Sequence, residues 1–266
     1  MKKSSVLKNT INFPNLWGSI IPIQVFGIYA LYEIFAGQAP TWWWVTTILG
    51  YICIKMLGIS AGYHRLFSHA GYKVHLGVKR ILLFFGILSG QGSPIVWIGI
   101  HRGYHHRYAD KPGDAHSPND GFWHSYIGWM FTRNKMSIRS VVDLLRDSDM
   151  VYAHRHYIKI LWVTNIILAS ISVDLWLYLL ILPTFITFHS FATQASITHL
   201  SWAGYRNYNV KDNSVNVPWL FPLILGETWH NNHHGSAKNS NFSRRWWEID
   251  PASWIIQLIR TDRSVA

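Results

Sequence analysis

The chain has 266 residues, enough for one large domain or two small ones, and is 49% hydrophobic, 15% aromatic and only 14% charged. Long apolar blocks alternate with the polar segments that hold the charge, which excludes an ordinary soluble core and fits a chain that crosses a bilayer several times. A formal net charge of +11 without a basic helix or a nucleic-acid module argues against a nucleic-acid partner and for acidic lipid or protein surfaces.

In chain order, a short basic stretch precedes an apolar run from about 16 to 36, long enough to span a membrane at roughly 1.5 Å per residue. The brief turn Gly37 to Pro40 lacks Lys and Arg, and a second span from about 41 to 62 opens on Trp42, Trp43 and Trp44 at the interface. Lys55 lies late in that run, so the helix is expected to leave the membrane before reaching His64. Residues 76 to 100 are apolar but broken by Gly90, Gly92 and Pro94, which predicts an interfacial or partly inserted helix followed by a break. A polar stretch follows to His156, then a third span at about 157–173 and a fourth at about 175–199, joined around Asp174 by another turn free of Lys and Arg. The fold expected is an all-α membrane protein: four transmembrane helices in two hairpins, with a cytosolic helical cap (63–156 and 200–266) carrying a histidine-rich di-metal site. Both hairpin turns lack positive charge, so the positive-inside rule places both termini and the cap in the cytoplasm. The whole of 1–266 reads as a single domain.

Histidines organise the cap. They fall in three boxes: His64 and His69; His101, His105 and His106; His230, His233 and His234. A lone histidine is usually structural, which is how His75, His154 and His156 are read; His189 is read as a packing residue, and His199, alone at the end of the fourth span, is left open by the pattern. Three boxes together exceed any structural need. The single cysteine, Cys53, excludes thiolate coordination, so a metal here is held by nitrogen and oxygen. One ion rarely uses more than four or five protein ligands, so eight or nine histidines imply two metals, with iron ahead of zinc because redox chemistry needs a metal that changes oxidation state. Asp110, Asp114 and Glu227 stand beside the boxes as candidates to hold the outer ring N–H of a ligand, with His116 and Asp212 behind them. Arg65, Arg102, Arg107 and Arg206 are candidates to contact a substrate head group or an acidic electron donor.

The text HRLFSH (64–69), HHRYADKPGDAHSP (105–118), THLSWAGYRNYNVKDNSVN (198–216), GETWHNNHH (226–234) and RWWEID (245–250) resembles the membrane fatty acid desaturases, in particular a bacterial delta-9-like branch of the acyl-CoA and acyl-lipid enzymes. The resemblance implies a di-iron enzyme with O₂ as co-substrate that introduces a cis double bond, delta-9, into a saturated acyl chain carried on CoA, an acyl carrier protein or a lipid. Electrons would come from an external donor: a ferredoxin, a rubredoxin-like protein or a b-type cytochrome with its reductase. Carried over, the first metal takes His64, His69, His101, His106 and His234, and the second takes His105, His199, His230 and His233. No catalytic residues beyond the ligands are implied. The short N-terminal region fits a multi-pass enzyme of a bacterial inner membrane, in contact with membrane lipids.

Two departures stand out. The second box has three residues, Arg102, Gly103 and Tyr104, where the family has two. Either a π-bulge near Gly103 absorbs the extra residue or the ligands of that box change. Ala195 stands where animal members place an Asn that holds a metal-bound water, with Gln194 or Ser196 as substitutes. A membrane hydroxylase acting on alkane, sterol or carotenoid is the alternative enzyme class, and a structural metal protein without catalysis is the third.

Overall fold

The computed structural model describes residues 15–131 and 138–262, without the side chain of Leu16; the basic N-terminal stretch and both chain ends, expected in the cytoplasm, lie outside them. All regular elements among the described residues are helical, and β pairing is confined to isolated bridges such as Tyr205 with Asn216 and Asn216 with Trp229. Among the described residues, three helices are long and apolar enough to cross a membrane: α1 (Trp17–Phe35), α2 (Trp43–Ser68) and α7 (Val173–Ile197).

The expected third span at 157–173 is not confirmed. It falls within α6 (Ser148–Ile171), a continuous helix that is not among the three apolar ones. Its first half carries Asp149, His154, Arg155, His156 and Lys159, so the apolar stretch is too short to span alone. The second half still presents Val163, Ile166, Ile167 and Ile171 outward, as α1 presents Val25, Ile28, Tyr32 and Phe35.

Between α2 and α6 the chain makes α3 (Leu76–Leu88), a break at Gly90 and Gly92, both with positive φ, and α4 (Pro94–Ile100). α2, α3, α4 and α6 share one core built from Ile54, Ile59, Tyr63, Leu82, Ile87, Ile95, Ile98, Met150 and Tyr157, closed by Ile256 of α9 (Pro251–Ile259). Close approach is possible because Gly58 has no side chain: a Cβ there would meet the Phe85 backbone at 2.5 Å.

α2 changes character along its length. Ile48, Leu49 and Ile52 are exposed, but from Ile54 onward nearly every residue is buried, including Lys55. Lys55 itself is wrapped in protein, and its Nζ has no hydrogen-bond partner. The far end of the helix delivers His64 and His69 into the interior of the cap.

Candidate metal centre

His64 and His69 are five residues apart, which on an α-helix would set them about 140° apart. The end of α2 is π-helical, with His69 N–H donating to His64 O at 3.2 Å, and an i→i+5 bond stacks the two residues on one face. The second box repeats the device. His101–His105 is a π-helical turn and His106 N–H bonds His101 O, so the extra residue around Gly103 is absorbed and His101 and His106 share a face. His105 is left on the other side.

The third box lies on the short helix α8 (His230–Gly235). Leu225, just before it, adopts φ +53°, a costly conformation for a branched side chain, held where the chain turns to present Glu227. Gly226 has no room for a side chain, since a Cβ would lie 2.7 Å from Asp250 Cγ.

The nine histidines converge in two sets whose ligand atoms lie within 4.8 Å of one another: His64, His69, His101, His106 and His233 in cluster one, and His105, His199, His230 and His234 in cluster two. In cluster one, successive Nε2 atoms are 3.0 Å apart from His64 to His233, 2.9 Å from His233 to His106, 3.0 Å from His106 to His101 and 2.9 Å from His101 to His69. In cluster two, His199 and His230 meet at 3.0 Å. The partition differs from the carried-over one, which placed His234 in the first set and His233 in the second. Helix geometry gives the reason: His230 and His234, four apart on α8, lie about 40° apart and point together, whereas His233 is turned about 60° the other way.

Carboxylates fix the tautomers. His64 Nδ1–H donates to Glu227 Oε2 (2.7 Å), His199 Nδ1–H to Asp110 Oδ2 (2.8 Å) and His234 Nδ1–H to Asp212 Oδ2 (3.0 Å), which leaves each Nε2 lone pair facing inward. Asp114 Oδ2 approaches His105 Nδ1 at 3.4 Å without forming a hydrogen bond. Burial would raise these carboxyls, but their histidine contacts outweigh it and hold Asp110, Asp114, Asp212 and Glu227 below the usual range; for Glu227, Arg65 and Lys55 add to the effect. Burial, and then mutual repulsion, pushes His69, His101, His106, His230 and His233 well below 6.5, so they are neutral ligands at neutral pH.

Such a set fits metal ions. Nitrogens about 2.1 Å from an ion and at right angles to one another are separated by about 3.0 Å, whereas tetrahedral angles would give about 3.4 Å. Five imidazoles with 2.9–3.0 Å edges therefore suit a five- or six-coordinate transition metal better than tetrahedral zinc.

Two of the four arginines proposed for head-group or donor contact are corrected. Arg65 is fully buried, bonded to Asp250 (2.6 Å), Glu227 (2.9 Å) and Ser240 O, with its guanidinium 3.7 Å from the Phe242 ring centre. Arg102 is spent on Asp143 and the carbonyls of Phe67, Ser68 and Ser140. Arg206 donates to the carbonyls of Val210 and Asp212 yet stays exposed, as does Arg107. Both ring nitrogens of His189 are taken, by Tyr126 and Gln24. Ser196 donates to Ala192 O, inside its own helix. Asp250 and Trp97 escaped the reading of the sequence. Trp97, four residues before His101, stacks on that imidazole at 5.2 Å and donates to Gln91, and the RWWEID text that ends in Asp250 held the other clue.

A helical protein with membrane-length apolar helices and imidazoles gathered in two adjoining sets is a membrane protein built around histidine clusters that could hold metal. The fatty acid desaturase family model matches residues 40–262, and the chain belongs to that family and is an oxidoreductase. It is 32% identical over 217 residues to the sn-1 stearoyl-lipid 9-desaturase of Anabaena variabilis, covering 77% of this chain and 75% of that one. It is 30% identical over 270 residues to the sn-2 palmitoyl-lipid 9-desaturase of Nostoc, covering 94% and 89%, and 32% identical over 217 residues to the delta-9 acyl-lipid desaturase 1 of Arabidopsis thaliana, covering 76% and 68%.

Proposed function

We propose that this chain is a di-iron, O₂-dependent desaturase that places a cis double bond at the delta-9 position of a lipid-linked saturated acyl chain. The observation that carries the reading is the convergence of nine imidazoles into a set of five and a set of four. Relatives named as acyl-lipid 9-desaturases favour the lipid carrier over CoA or an acyl carrier protein and the delta-9 position. The ligands are His64, His69, His101, His106 and His233 for one ion and His105, His199, His230 and His234 for the other. Bound there, the irons would supply the redox chemistry: O₂, two electrons, two protons and two hydrogens from the chain become two waters and a double bond.

The protein's own part is positioning and exclusion of water. Glu227, Asp110 and Asp212 hold the outer nitrogens of His64, His199 and His234 so that each lone pair is already aimed. Trp97 and Phe242, packed on His101 and His233, wall cluster one with apolar surface. The residues belong to one catalytic domain. α1, α2 and α7 cross the membrane, and the apolar half of α6 inserts beside them to complete two hairpins, with the cap in the cytoplasm of a bacterial cell. Arg107 and Arg206 stay exposed on that face for an external, acidic electron donor.

The test is the fatty acid profile, by gas chromatography and mass spectrometry, of a desaturase-deficient host expressing the chain or its His233→Ala variant. A new delta-9 monounsaturated acid, found in membrane lipid and missing with the variant, is the expected result. A hydroxylated product instead would replace the reading with a hydroxylase.

A further inference from the structure

Cluster one offers five imidazoles and cluster two offers four. Beside cluster two stands a tenth histidine. His116 is 4% exposed, and its ring centre lies 4.6 Å from that of His105, with the planes tilted by 31°. A ring nitrogen of His116, one of His105 and an oxygen of Asp114 all lie within 4.8 Å of one another. His116 Nδ1 is buried and has no hydrogen-bond partner, an expensive condition for a polar atom unless something occupies the space before it.

The backbone around His116 is held firmly. Its carbonyl accepts from Ser125 Oγ at 2.6 Å, and the same hydroxyl reaches Ala195 O at 3.3 Å, one turn of α7 before His199. Ser125 thereby ties His116 to the helix that delivers a ligand to cluster two. Trp129 and Phe191 pack against the ring and close the space to bulk solvent. His116 is not within the mutual distance that unites the four imidazoles of cluster two, and it reaches that cluster's surroundings through His105, which belongs to both groups.

We propose that His116 is a positioning residue of cluster two, its Nδ1 holding a water molecule that occupies the fifth coordination position of that ion. The assignment rests on the two-metal reading above. It gives both clusters five donors while leaving cluster two its single exchangeable position.

The full-length protein, purified in detergent and loaded with ⁵⁷Fe, tests this through its iron content and Mössbauer spectrum, compared among wild type, His116→Asn, His116→Gln and His116→Leu. An Asn amide reaches about where Nδ1 lies and a Gln amide does not. The expected result is two irons per chain throughout, one quadrupole doublet displaced in His116→Leu and His116→Gln, the other doublet unmoved, and His116→Asn close to wild type. Product formation falls roughly 10- to 100-fold in the displaced variants. Two irons with both doublets unchanged in His116→Leu and His116→Gln overturn the role of His116. Fewer than two irons in the wild type overturn the two-metal reading itself. Should His116→Leu fail to fold, the Asn and Gln pair decides the matter: matching spectra reject the proposal and a displaced doublet in Gln alone supports it.

Discussion

The two histidine clusters are built on different principles. Cluster one draws on all three boxes and is braced by one buried ionic network, in which Arg65 bridges Glu227 and Asp250 and Glu227 in turn holds His64. Cluster two takes nothing from the first box and is ringed by three aspartates, Asp110, Asp114 and Asp212, each against a different histidine. Cluster one is thus fixed by long-range architecture, joining the end of a membrane helix to a residue 185 positions later. Cluster two is fixed by single carboxylates, at separations of 89 residues for Asp110 with His199 and 22 for Asp212 with His234, and carries more negative charge around its ligands, which raises their basicity.

The difference can be broken most severely at the imidazoles. His64→Ala removes a cluster-one ligand that no neighbour can replace, and product formation in the complemented host should fall below detection while the cluster-two ligands stay in place. Arg65→Met should cost about 3–5 kcal/mol, because Glu227 and Asp250 would be left buried without their cation. A thermal unfolding curve reads this loss, and a midpoint equal to that of wild type would show that the network is not what braces cluster one.

Asp212→Asn should act more gently and on the other cluster. The loss of a carboxylate behind His234 weakens metal affinity by about 10- to 100-fold. At limiting iron the content should drop from two ions per chain toward one, and a loss of both ions would mean that the clusters are not independent.

Acid separates metal-free from loaded protein. The depressed histidines, His101 and His233 among them, are neutral in the fold and ordinary in the unfolded chain, so the unfolded state binds more protons below 6.5. Above that pH there is no penalty. As pH falls from 6.5 toward the folded values, each such histidine removes up to about 1.4 kcal/mol of stability per unit. The melting temperature of the chelator-stripped protein should therefore decline steadily below pH 6.5, and a flat profile to pH 5 would contradict neutral, buried imidazoles. The smallest effect belongs to Arg107→Gln, which should leave iron content and melting unchanged and slow only donor-dependent turnover, with a weakened salt dependence.

How much of this was legible in the sequence varied with the range of the interaction. The three boxes, the lone His199 and the neighbouring Asp110, Asp114 and Glu227 are local text, and the structure brings all of them to the two clusters. The π-turn at His101–His105 was one of two options that the extra residue allowed. The exchange of His233 and His234 was readable in principle, since offsets of three and four diverge on a helix, but a ligand set transferred from relatives overrode that geometry. Arg65 was mistaken for a surface cation because its partners lie 162 and 185 residues away. The full burial of Lys55 lay outside the sequence reading, which weighed only the cost of a charge at the bilayer centre. The span expected at 157–173 is not among the helices apolar enough to cross a membrane, because the charged first turns of α6 leave only a short apolar second half.

The most direct test of two separate ion sites is X-ray diffraction from crystals of the iron-loaded protein at energies above and below the iron absorption edge. Two anomalous peaks should appear, one among His64, His69, His101, His106 and His233 and the other among His105, His199, His230 and His234. A single peak, or peaks that persist below the iron edge as those of another metal, would contradict a di-iron centre.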